Sequence, residues 1–142
     1  MKEISEANRR SHDEIGINVL SALSRLDSEA LREWLDDDVV LELPFAPIEL
    51  GPRTIRGLDN VVKTMSRART VYESLLFTVL EKYPVPASNT MIFRAKKRRS
   101  FQKRLNLRKR DMQVSSFRDE KVIHWIEFFD SIAAQTAFAS LK

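Results

Sequence analysis

The segment Val122–Asp130, VIHWIEFFD, concentrates the residues able to do chemistry. It reads as a strand, with Ile123, Trp125, Glu127 and Phe129 on one face and Val122, His124, Ile126, Phe128 and Asp130 on the other. A carboxylate on an otherwise apolar face is expensive to bury unless a partner neutralises it. Arg94, on an earlier strand, is the candidate: a guanidinium beside Glu127 supplies charge-assisted hydrogen bonds. Two readings of that pair are open. Glu127 is an acid or base with Arg94 as its partner, or the two form a structural ion pair with no part in chemistry.

The neighbouring residues carry similar alternatives. The indole N–H of Trp125 either faces a ligand or lies within core packing. By parity His124 faces away from Glu127, as an interfacial histidine or a general base. Asp130 fits as the cap of a following helix. Asp36, Asp37 and Asp38 form an acidic run at a helix end, where metal binding is the sharper reading and solvation the plainer one. The chain has no cysteine and two histidines, His12 and His124, so neither a thiolate site nor a protein-built zinc site is expected, and no cofactor is implied.

Elements must hold these residues in place. Ile15, Val19, Ala22, Leu23 and Leu26 follow helical spacing, and Asp27 is a natural cap for a second short helix with Ala30, Leu31, Trp34 and Leu35 on its buried side. Val39–Leu43 changes to strand character, then Pro44 and Pro47 lead into a loop through Gly51 and Pro52. A third helix follows Gly57, with Asp59 as its expected cap and Val61, Val62 and Met65 buried. Four strands in a meander come next: the first alternates Leu75, Phe77 and Val79 against Leu76, Thr78 and Leu80, and the last follows a tight turn at Arg118–Glu120. The Ala-rich tail after Asp130 reads as a terminal helix. This order predicts an α+β domain with helices on one face of a curved antiparallel sheet.

A chain of 142 residues with 43% hydrophobic content fits one domain spanning residues 1–142. The N-terminus lacks the apolar run of a signal peptide and no stretch is long enough to span a bilayer, so a soluble, cytoplasmic protein is expected. The net charge of +4 conceals an asymmetry: residues 94–110 hold ten Lys and Arg and no acid, and without them 14 basic residues face 20 acidic ones, a net of −6. Either this strip binds a polyanion, nucleic acid or an anionic surface, or it is the solvated side of two long strands.

The segments Asp27–Val62 and Ser115–Asp130 resemble the nuclear transport factor 2-like superfamily, in particular its SnoaL-like branch. The resemblance implies a cone-shaped sheet whose concave face is covered by the N-terminal helices, enclosing a mostly apolar pocket for a small hydrophobic organic ligand. It leaves isomerase, dehydratase, hydrolase and non-enzymatic binding or scaffold roles open. Where ketosteroid isomerases carry their base, the corresponding residue is Leu43, and where they and the SnoaL cyclases carry an acid on the penultimate strand it is Gln113. The limonene epoxide hydrolase type is nearer, with Trp125 and Glu127 matching its last strand and Arg94 its arginine, but Lys96 takes the place of its second acid, and Val40 and Glu42 replace its water-holding pair. Glu127 and Arg94 are therefore the candidate catalytic residues, and Trp125, Gln113 and Phe129 the candidate ligand contacts. The apolar outer face, read as Val122, Ile126 and Phe128, calls for a second subunit, so a homodimer is expected.

Overall fold

The computed structural model describes residues 11–47, 51–101 and 106–129. The first helix, α1 (His12–Ser24), starts where Ser11 Oγ accepts from the Glu14 N–H at 3.2 Å, and Asp13 and Glu14 complement the positive end of its dipole. Its buried stripe is Ile15, Gly16, Val19, Leu20, Ala22 and Leu23. At its far end the Phe77 N–H donates to Ser24 Oγ at 3.0 Å, and near its start Lys82 Nζ reaches Asp13 at 3.0 Å. The hydrogen bond from Lys82 holds the Asp13 carboxyl below its usual range.

The stretch expected as a second α-helix is a 3-10 helix, Glu29–Glu33. Asp27 does cap it, accepting from the Ala30 N–H at 3.2 Å. Strands β1 (Leu35–Glu42) and β2 (Thr54–Arg56) pair antiparallel, and α2 (Leu58–Ser66) follows. Asp59 does not cap α2; it binds Arg32 at 2.6 Å, and the helix begins at Gly57, whose φ of +90° suits glycine. After the short α3 (Ala68–Val71) come the long strands β3 (Tyr72–Pro84), β4 (Thr90–Phe101), β5 (Asn106–Arg118) and β6 (Lys121–Phe129).

The sheet order is β2-β1-β6-β5-β4-β3. The meander is antiparallel as expected, but β1 lies parallel to β6, so the sheet is mixed. A crossover of this kind was hidden because β1 and β6 are far apart in sequence. The β5–β6 turn places Asp119 and Glu120 at φ of 49° and 64°, the geometry of a two-residue hairpin.

The concave face gathers the core. Leu35, Val39 and Leu41 come from β1, Leu75 and Phe77 from β3, Met91, Phe93 and Ala95 from β4, and all are buried, with α1 packed chiefly over β3 and α2 over β1. One alternation was misread. Between Ser116 and Phe117 of β5, strand β6 advances two residues to one, so Ile123 is a bulge and the parity reverses. Val122, expected on the outer face, is therefore buried in the core, while Ile123 is half-buried. The terminal-helix expectation and Asp130 lie outside the described residues.

Candidate functional site

Alternation on β4, β5 and β6 brings five polar side chains to the concave face. Lys97, Asp111, Gln113, Ser115 and Glu127 are all buried there, beside Trp125. Register explains their meeting: Gln113 stands opposite Glu127, Ser115 opposite Trp125, and Asp111 opposite Ala95, two residues before Lys97 on the same face. Lys97 Nζ donates to Glu127 Oε1 at 3.0 Å and lies 3.8 Å from Asp111 Oδ2. The same ammonium sits 4.9 Å above the Phe77 ring, which is its cross-strand neighbour on β3. A cation thus stands between two carboxylates in a site from which water is almost excluded.

Glu127 is buried with a cation, as the sequence suggested, but the cation is Lys97. Arg94 is one residue out of phase with the concave face. It projects to the outer side of the sheet and pairs with Glu81 on β3, so it does not meet Glu127. Alternation along β4 carried the signal that was missed: Phe93, Ala95 and Lys97 share a face, and Arg94 and Lys96 belong to the other. Asp111 was missed because it directly follows the strip 94–110, which was read only for its positive charge.

Two further groups shape the chemistry. Gln113 is 2% exposed and Trp125 1%, and among the described residues neither Gln113 Nε2 nor Trp125 Nε1 has a hydrogen-bond acceptor. Buried N–H groups without acceptors cost roughly 1–3 kcal/mol each. Both belong to the face that carries Lys97 and Glu127. The arrangement offers donors to an oxygen atom and a carboxylate able to move a proton. Phe129 ends β6 opposite Asp111, and its side chain lies outside the described residues.

The remaining candidates are placed elsewhere. His124 lies on the outer face and pairs with Glu42 of β1, away from the buried cluster. Asp36 and Asp38 are held by Arg118 at 2.8 and 3.3 Å, and no acid and histidine group suited to a metal ion occurs among the described residues.

No protein-family model and no curated protein matches the sequence. Solved structures do. A proposed isomerase from Bacillus subtilis superposes with a TM-score of 0.81 at 22% identity, over 89% of this chain and 91% of its own. A nuclear transport factor 2-like protein from Burkholderia thailandensis gives 0.75 at 17% identity, over 91% and 98%. TerC, co-crystallised with polyporic acid, gives 0.77 at 14%, over 87% and 95%. SnoaL-like and ketosteroid isomerase-like proteins are also among the matches. The chain has the fold that these nuclear transport factor 2-like and SnoaL-like structures share, an α+β fold with a curved, open six-stranded sheet.

Proposed function

We propose that this protein binds a small, mostly hydrophobic organic molecule carrying an acceptor oxygen, such as a ketone, lactone or quinone, and transfers a proton on it. The observation that carries this reading is the pair of buried donors, Gln113 Nε2 and Trp125 Nε1, on the same face as the Lys97–Glu127 ion pair. The ligand oxygen accepts from the two donors, and its carbon skeleton rests on the apolar side chains around them. Glu127, held as a carboxylate by Lys97, takes a proton from the carbon next to the carbonyl; the charge moves onto the oxygen, and the proton returns at another carbon. Isomerisation is the reaction class; where the substrate carries a hydroxyl β to the carbonyl, the same enolate instead breaks that C–O bond, the departing oxygen takes the proton from Glu127 and leaves as water, and the outcome is dehydration. Ligand-bound TerC supports the capacity of this fold for an organic guest.

Thermal-shift and turnover assays with matched cyclic ketones and hydrocarbons test this. Ketones should raise the melting temperature and hydrocarbons of equal size should not. Gln113→Leu should lose the difference, and Glu127→Gln should keep binding while turnover falls by about 10²–10⁴-fold. Equal stabilisation by ketone and hydrocarbon would leave an ordinary apolar cavity. No response to any compound would leave a structural polar core hydrated by internal water.

A second copy of the chain is the partner that suits the outer face. With Val122 reassigned to the core, the patch consists of Ile92, Val114, Ile126 and Phe128, all half-buried, with Phe45 at 54% exposure packed on Phe128 in a tilted arrangement, ring centres 5.6 Å apart. Ile126→Glu should convert dimers to monomers by placing like charges near a two-fold axis. Sedimentation of the unmodified protein as a monomer at micromolar concentration would refute the dimer.

A further inference from the structure

The geometry points to the outer face of the β4–β5 arm as a docking surface for an anionic phospholipid membrane. Strand β6 pairs with β5 as far as Phe129, opposite Asp111, and among the described residues β4 beyond Ala95 and β5 before Asp111 continue as an arm paired on its other side with β3. Within this arm the register sets Lys96 opposite Arg110 and Arg98 opposite Arg108. Like charges directly opposite each other on adjacent strands destabilise the pairing. Here two such pairs follow one another on a single face. The side chains of Lys96, Arg98 and Arg110 are exposed, and none forms an ion pair or hydrogen bond among the described residues. Arg94, at the base of the arm, is the exception, because Glu81 neutralises it.

The chemistry of the occupant follows from what accompanies these cations. Successive same-face positions on a strand are about 6.6–6.8 Å apart, so Lys96, Arg98 and Arg110 form a compact group of cations suited to phosphate groups. Around them on this face stand Ser74, Leu76, Thr78, Ser100 and Met112, none of them aromatic, and Phe128, across from Met112 at the foot of the arm, already packs on Phe45. Two of those neighbours are large apolar side chains left in water: Leu76, opposite Arg98, is 54% exposed, and Met112, opposite Arg94, is 42% exposed. Cations beside exposed aliphatic groups match an anionic headgroup layer above acyl chains, where charges attract and apolar side chains partition.

Charge distribution favours this orientation. The chain outside residues 94–110 carries a net charge of −6, so a negatively charged surface repels the body and attracts the arm. Among the described residues no helix is long and apolar enough to cross a bilayer, so the association is peripheral. Positions 96, 98, 108 and 110 lie past the apolar patch assigned to a second copy, and the two surfaces meet at Met112, which stands opposite Phe128.

Co-sedimentation of the full chain with phosphatidylcholine vesicles, with and without phosphatidylserine, tests the proposal. Binding should require phosphatidylserine and fall steeply with added salt. The triple variant Lys96→Gln/Arg98→Gln/Arg110→Gln should lose about a hundredfold in partitioning, since each cation near the surface contributes about fivefold. Lys96→Arg/Arg98→Lys/Arg110→Lys should retain binding, which separates charge from any effect on folding. Leu76→Ser should weaken binding several-fold with the salt dependence unchanged. Equal partitioning with and without phosphatidylserine, or an unaffected triple variant, would overturn the proposal. Tighter binding to a single-stranded RNA than to the vesicles at the same salt would overturn it in favour of a nucleic-acid partner.

Discussion

Replacing Lys97 by methionine should destabilise the protein by about 3–5 kcal/mol, the largest single effect expected in this molecule. Methionine preserves most of the aliphatic stem but leaves Asp111 and Glu127, both nearly inaccessible, without the ammonium now 3.8 and 3.0 Å from them. Buried carboxylates deprived of that ammonium ionise less readily, so in the variant they hold their protons to higher pH than in the unfolded chain, where the reference values are about 3.9 and 4.3. The folded variant then binds more protons than its unfolded state above that range, and its stability falls as pH rises. The loss relative to the unmodified protein should therefore be larger at pH 8 than at pH 5. Lys97→Met/Asp111→Asn/Glu127→Gln, which removes all three charges, should recover much of it. Urea denaturation at both pH values measures these differences. A loss under 1 kcal/mol that does not vary with pH would mean that the three groups are not coupled in a dry site.

Gly16→Ala gives the second large effect, and its sign is diagnostic. On helix propensity alone, alanine in the interior of α1 should stabilise by roughly 0.8–1 kcal/mol. Packing opposes this. A Cβ at Gly16 would stand 2.1, 2.5 and 2.9 Å from three atoms of the Phe93 ring, all far inside van der Waals contact. Phe93 is 1% exposed and cannot swing into solvent, so either the ring or α1 must shift. Overpacking of this kind costs about 1–3 kcal/mol, and the collision places Gly16 at the upper end. Net destabilisation is the expected outcome. Phe93→Leu in the Gly16→Ala background should be better tolerated than the sum of the single changes, because the smaller side chain vacates the contested space. An alanine variant with an unchanged or higher denaturation midpoint would show that α1 is not seated on Phe93.

Much of this architecture was legible in the sequence because the signals were local. The stripe of α1, the Asp27 cap, the hairpin turn before β6 and the inward placement of Trp125, Gln113 and Glu127 follow from spacing of a few residues. What was not legible depended on events between strands. The parallel pairing of β1 with β6 joins segments more than 80 residues apart, and no local pattern announces it. The bulge at Ile123 moved Val122 from the expected interface into the core by a single inserted residue. Assignment of Arg94 as the partner of Glu127 failed for a related reason: a shift of one position exchanges the two faces of a strand. The family resemblance fixed neither the phase of β4 nor the inward placement of Asp111 at the end of the basic stretch. Gly16 carried no distinguishing pattern, since its role depends on a ring more than 70 residues away.

The buried donors are the point on which the functional account turns, and the indole N–H of Trp125 reports on them directly. The chain has two tryptophans, Trp34 and Trp125, so a proton–nitrogen correlation spectrum contains two indole signals, which Trp125→Phe assigns. Titration with cyclic ketones, lactones and quinones should move the Trp125 signal downfield as a ligand oxygen accepts its hydrogen bond, with the Trp34 signal unmoved. Gln113→Leu should weaken the response, and hydrocarbons of the same shape should produce none. A Trp125 signal that is unmoved by every oxygenated compound, or equally moved by the hydrocarbons, would contradict the assignment of this cluster as a site for an oxygen-bearing ligand.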